Sequence, residues 1–112
     1  MERGTVWWAE LPDPVASEPG FRRPVVIVSS DVFNQSRIRT VVAVVLTSNL
    51  QLAEAPGNFL IAAVESGLPK DSVANVSQVI TVNKNFLTKR CGRLSPRVLK
   101  TLDNGLRLVL SL

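Results

Sequence analysis

Histidine is absent from this chain of 112 residues, and cysteine occurs once. Without histidine there is no Ser–His–Asp triad, no histidine metal site and no paired-histidine ribonuclease chemistry. The single Cys91 allows no internal disulfide, and with scattered carboxylates it cannot build a zinc set, so a reducing cytoplasmic setting is expected. Cys91 reads as a small apolar filler, since no histidine is present to activate a thiol. No apolar run approaches the roughly 18–20 residues that a membrane span requires. Met1-Glu2-Arg3-Gly4 is followed by no apolar signal-peptide core. Catalysis in such a chain must rest on Arg, Lys, Asp, Glu, Ser, Thr and backbone donors.

The composition is 46% hydrophobic and 20% charged, that of an ordinary globular chain, and residues 1–112 read as a single domain. The net charge of +4 conceals an asymmetry. Through Ser66 there are five Lys and Arg against seven Asp and Glu; beyond it there are eight against two. A positive field over the distal part favours a polyanionic partner, nucleic acid being the commonest, or an acidic protein segment.

Two short clusters stand out. Arg22-Arg23-Pro24 opens the run Val25-Val26-Ile27-Val28, and Thr47-Ser48-Asn49 closes the run Val41-Val42-Ala43-Val44-Val45-Leu46. Each run is β-branched and continuously apolar, as in a strand buried on both faces. If the two strands are antiparallel neighbours, the guanidinium groups at the start of one face the hydroxyls at the end of the other, a seat for a phosphate group. Taken singly, each cluster also has an ordinary reading: arginine before proline favours extended backbone, and Thr-Ser-Asn is common loop chemistry.

Elsewhere, Gly4 to Ala9 reads as a first strand, with Trp7 and Trp8 on opposite faces and one of them expected in the core. Leu11 to Gly20, rich in proline, reads as an exposed loop. Ser30-Asp31 should cap a single helical turn over Val32 to Asn34. A polar loop is expected through Pro56-Gly57, then a weak strand from Asn58 to Ala63 and a turn over Gly67 to Asp71. Ser72 to Val82 reads as two short strands with a bend near Ser77-Gln78. A helical turn from Lys84 to Leu87 should lead into a strand through Arg93. The one long helix follows Ser95 as N-cap and Pro96 at its first position, with Val98, Leu99, Leu102, Leu106, Val109 and Leu110 as its apolar stripe. Gly105 inside it costs about 1 kcal/mol relative to alanine. The expected fold is mainly β, a small coiled antiparallel sheet with one long C-terminal helix. Its open edges make a homodimer a reasonable consequence.

Ordered pieces of the sequence add to this. Gly4-Thr5-Val6-Trp7-Trp8 is followed by Ser17-Glu18, Arg22-Arg23-Pro24-Val25, Asp31-Val32-Phe33-Asn34, Leu46-Thr47-Ser48-Asn49-Leu50 and Pro56-Gly57-Asn58. The distal half adds Gly67-Leu68-Pro69-Lys70-Asp71-Ser72-Val73, Val76-Ser77-Gln78 and Gly92-Arg93-Leu94-Ser95. In this order and spacing the chain resembles, over almost its whole length, the MazF/PemK family of bacterial toxins. The resemblance implies an SH3-like barrel, a homodimer and a metal-independent, sequence-selective endoribonuclease (an mRNA interferase) that needs no cofactor. Such an enzyme cleaves single-stranded RNA to 2′,3′-cyclic phosphate and 5′-hydroxyl ends and is neutralised by a cognate acidic antitoxin.

The family's catalytic arginine falls on Arg23 and its catalytic threonine on Thr47. Ser17, Phe21, Arg22, Ser48, Asn49, Ser77 and Gln78 are candidate RNA-binding residues. Glu18, the carboxylate nearest in sequence to the arginine pair, is a candidate general base. The chain departs from the family pattern at Asn75 and Ser77, where some members carry Arg and Asp, at Ile80, often arginine, and at Pro19, often glutamine. Two alternatives stay open: a gyrase-binding toxin of the CcdB kind on the same scaffold, and a degenerate member that binds without cutting.

Overall fold

The structure, a computed structural model, describes residues 1–11 and 22–112. Strands β1 (Thr5–Glu10), β2 (Arg22–Ile27) and β3 (Thr40–Thr47) are followed by β4 (Phe59–Ile61), β5 (Ser72–Asn83) and β6 (Leu87–Arg93). Helix α1 (Asp31–Gln35) precedes β3, α2 (Ala63–Ser66) follows β4, and α3 (Pro96–Leu110) follows β6. Among the described residues these strands form one open, curled sheet in the order β4-β5-β3-β2-β1-β6, each neighbouring pair antiparallel. The mainly β architecture with a long C-terminal helix agrees with the sequence expectation.

β2 and β3 are antiparallel neighbours, with Val25 opposite Val45, Val26 opposite Val44 and Ile27 opposite Ala43. Both runs lack polar alternation because both sheet faces are covered. Val26, Val44 and Leu46 join Leu94 and Leu102 in a core beneath α3. Val25, Ile27, Val41, Ala43 and Val45 face the other way, into a second core with Val82 and Leu87.

Helix α3 begins as its sequence indicates: Ser95 Oγ accepts from the Val98 amide at 3.4 Å, and Pro96 occupies the first turn. Leu102 is fully buried, and Val98, Leu99 and Leu106 pack on the core. The stripe stops there, since Val109 and Leu110 stay 37% and 49% exposed; the core under the helix ends at Leu106. Gly105 has a reason that local propensity hides. A Cβ on it would lie 2.4 Å from the Gly57 carbonyl oxygen, so the loop before β4 seats on α3 backbone to backbone.

Four expectations change in detail. Both tryptophans are half-buried, Trp7 against the second core and Trp8 against the first, because each sheet face has a core of its own. The polar loop after Asn49 contains a 3₁₀ turn, Leu50–Glu54, whose Gln51 amide donates to Asn49 Oδ1 at 3.3 Å. The weak strand shortens to β4 because α2 starts at Ala63. β5 is one strand; its expected bend is a bulge, since Val44 pairs with Val79 and Val45 with Asn75. The intervening Val76 amide donates instead to Asn58 Oδ1 at 2.8 Å. The loop expected from Leu11 to Gly20 lies, apart from Leu11, outside the described residues. Among the described residues no helix is long and apolar enough to cross a membrane.

The Glu65 carboxylate in α2 accepts a hydrogen bond from the Ser95 amide at the start of α3. That bond, with a smaller contribution from Arg97, holds its pKa below the ordinary carboxylate value. A lowered folded pKa gives stability that is complete above the unfolded value of about 4.3 and is lost as pH falls through the folded value. Glu65→Gln should therefore cost about 0.5–1 kcal/mol at neutral pH, discounted for solvent screening at a partly exposed site. The difference in urea midpoint from the native protein should shrink below pH 4; a constant difference from pH 7 to pH 3 would rule out the charge as its source.

Candidate functional site

Continuing the β2–β3 register outward from Val25 and Val45 sets Arg23 level with Thr47. Neighbouring strands lie about 4.8 Å apart, so the two backbones hold these side chains on one face at the same sheet end. A groove of about 650 Å³ opens there. Arg22, Arg23, Thr47, Ser48 and Asn49 line it, together with Leu68, Pro69 and Lys70 from the turn after α2. Among the described residues none of those lining it is acidic.

Strand alternation gives the groove two faces. Arg23 and Thr47 share the face of Val25 and Val45. Arg22 shares the opposite face with Trp8 and Glu10, as the pairings of Trp8 with Pro24 and of Glu10 with Arg22 require. The Arg22 guanidinium carbon lies 4.3 Å from the centre of the Trp8 ring, and its Nε is 3.5 Å from Glu10 Oε1. Arg23 is half-buried, and no carboxylate of the described residues lies within salt-bridge distance of it.

Thr47 Oγ1 accepts from the Asn49 amide at 3.2 Å. Among the described residues its own O–H has no acceptor, so that proton is available to a ligand. Asn49 is held by capping the 3₁₀ turn, which fixes the loop leaving β3. The Arg23 guanidinium and the free Thr47 hydroxyl can hold a tetrahedral oxyanion and stabilise added negative charge on it, while Arg22 and Lys70 add positive charge around the same cavity.

The candidates do not all meet here. Arg22, Arg23, Thr47, Ser48 and Asn49 are brought together; Ser17, Glu18 and Phe21 lie outside the described residues. Ser77 and Gln78 sit on the β5 bulge and do not line the groove. Gln78 Oε1 accepts from Asn75 Nδ2 at 2.7 Å, and Asn75 Oδ1 accepts from Asn58 Nδ2 at 3.1 Å, so their amides brace the bulge. Ile80 packs against the second core. Trp8 and Lys70 are among the lining residues that the sequence reading did not single out as site residues. The available signal for Lys70 was its place in the motif Gly67-Leu68-Pro69-Lys70-Asp71.

Burial pushes the Cys91 thiol pKa up against the pull of Lys89 and Arg22, which fits a packing role better than a reactive one. Among the described residues no three His, Cys, Asp or Glu side chains are grouped as a metal site would require.

Comparison with known proteins follows the same lines. A family model described as PemK-like, MazF-like toxin of type II toxin-antitoxin system matches residues 2–110. The chain is 45% identical over 112 residues to Endoribonuclease MazF6 of Mycobacterium tuberculosis, covering 100% of this chain and 98% of the relative. It is 32% identical over 112 residues to Endoribonuclease EndoA of Bacillus subtilis, covering 100% and 96%. In structure it is similar to a mycobacterial endoribonuclease solved in complex with its cognate antitoxin, with a TM-score of 0.80, 23% identity, and coverage of 100% and 96%.

Proposed function

The chain belongs to the PemK-like, MazF-like toxins of type II toxin–antitoxin systems, and from that premise we propose that it is an endoribonuclease that cuts single-stranded RNA in the groove at the β2–β3 end. The observation that carries this reading is Arg23 level with Thr47 in a cavity lined by cations and no acid among the described residues.

In the proposed reaction the ribose 2′-oxygen attacks the adjacent phosphorus. The O2′–P bond forms, the P–O5′ bond breaks, and the products are a 2′,3′-cyclic phosphate and a 5′-hydroxyl. A base takes the 2′-proton, and the departing 5′-oxygen gains one. Negative charge accumulates on the non-bridging oxygens at the transition state. Arg23 supplies two coplanar donors and a permanent charge there, and the Thr47 O–H donates to the same oxygens. Arg22, Ser48, Asn49 and Lys70 hold the flanking chain. Glu18 is the candidate base. These groups meet the charge requirement themselves, so the proposed reaction is metal-independent.

The reading extends to a cytoplasmic homodimer, controlled by a cognate antitoxin. Its acidic segment would occupy the cationic groove, so that antitoxin and RNA exclude one another.

The test is incubation of the purified protein with a long transcript in excess EDTA. Cleavage should persist, and the downstream fragments should carry 5′-hydroxyls that a polynucleotide kinase labels without prior phosphatase treatment. Cleavage lost in EDTA and restored by a divalent cation would overturn the metal-independent step. Intact RNA together with inhibited gyrase supercoiling would replace the whole reading with a gyrase binder.

A further inference from the structure

The Trp8–Arg22 pair has no part in holding the reacting phosphate, and its geometry is specific. The guanidinium lies over the indole at 4.3 Å, and the Glu10 carboxylate approaches its Nε edge. Trp8 in turn packs on the core beneath α3, so the ring is a fixed support. The guanidinium is thus seated over the indole while the Arg22 side chain remains 51% exposed. Both residues line the groove, on the sheet face opposite Arg23 and Thr47. A nucleic-acid chain whose phosphate sits at Arg23 and Thr47 can pass around the sheet end and present a neighbouring base to Arg22.

We propose that Arg22, held flat by Trp8, is a stacking platform for an unpaired nucleobase next to the phosphate at Arg23 and Thr47, and that Trp8 is its positioning residue. This rests on the reading of the groove as an RNA site, and it assigns Arg22 to base contact rather than to phosphate contact. Guanidinium planes stack well on bases, and single-stranded RNA is recognised largely through splayed, stacked bases. A guanidinium already immobilised on an indole loses little freedom when a base arrives. The free face is flat and charged, so it accepts any base but favours those with the larger stacking surface.

The test separates base contact from phosphate contact by binding, with cleavage recorded separately. The probes are the tightest-bound of the four homo-oligodeoxynucleotides and an abasic chain of equal length and charge. Each is measured by fluorescence anisotropy against the native protein, Arg22→Lys and Trp8→Leu. Arg22→Lys keeps the charge and removes the plane; being an exposed substitution, it keeps the test valid even if Trp8→Leu fails to fold. The native preference for the base-bearing chain should fall about tenfold in both variants. An unchanged preference in Arg22→Lys would overturn the platform. So would an unchanged preference for the base-bearing chain combined with weaker binding of an acidic peptide probe, which would assign Arg22 to a protein partner. If the native protein cuts no RNA while the tenfold loss is seen, the platform stands and the endoribonuclease reading falls.

Discussion

Arg23→Ala should slow RNA cleavage by about 10²–10³-fold, the loss measured when one preorganised donor to a developing oxyanion is removed. The side chain supplies permanent charge as well as donors, so Arg23→Lys should recover only part of the rate; an ammonium cannot match the planar fork. Thr47→Ala should fall by a similar order if its hydroxyl donates to the same oxygens, and Thr47→Ser should restore most of the activity. The measurement is single-turnover cleavage of a defined oligoribonucleotide at saturating protein, with circular dichroism spectra checked against the native protein. Since Arg23 is half-buried at a strand end and Thr47 lies at the edge of the groove, both variants should fold. Near-native rates in Arg23→Ala and Thr47→Ala would remove the site assignment outright.

Gly67→Ala should be the most damaging of the single-methyl changes for the fold. Gly67 ends α2 at φ +80°, a left-handed conformation that costs a side-chain-bearing residue about 1–2 kcal/mol. Its added Cβ would also lie 2.1 Å from the Cys91 carbonyl oxygen, and the obstruction is β6 backbone, already paired to β1. Gly92 repeats the contact from the other side, its Cβ falling 2.6 Å from the Ser66 oxygen. Together these predict a loss of about 3–5 kcal/mol in urea unfolding, within the class of exceptional single substitutions. Gly4→Ala is the control. Gly4 has φ +88°, but its neighbour is the flexible Leu99 side chain at 3.2 Å, so the loss should be nearer 1–2 kcal/mol. Equal losses in the two variants would show that backbone conformation, not the close approach to β6, sets the cost. The turn after Gly67 carries Leu68, Pro69 and Lys70 into the groove, so cleavage should weaken together with stability.

Where the sequence could be read, the physics was local. β2 and β3 betray their burial through unbroken β-branched runs, and α3 begins where Ser95 and Pro96 indicate. Arg22, Arg23, Thr47, Ser48 and Asn49 were accessible for the same reason: they flank strand ends whose pairing could be guessed. What escaped depends on partners far along the chain. Gly105 makes sense only against Gly57, and the bulge in β5 only with the Asn58 side chain reaching the Val76 amide. Trp8 needed the guanidinium of Arg22, its diagonal neighbour on the paired strand, before its place in the groove could be seen. The family pattern drew attention to Ser77 and Gln78, yet their bulge is braced away from the groove through Asn75 and Asn58.

The pairing of β1 with β6 sets Thr5 opposite Arg93, so the sheet joins strands from opposite ends of the folded region. Pairing across such a separation cannot begin until both strands exist, and it is slow to form. A nascent chain lacks β6 and α3 until residues 87–110 have cleared the ribosome, and until then the core beneath the groove lacks Leu94 and Leu102. Synthesis therefore precedes function in time. The ribosome making such a toxin has already moved past the codons for that segment before a finished groove exists.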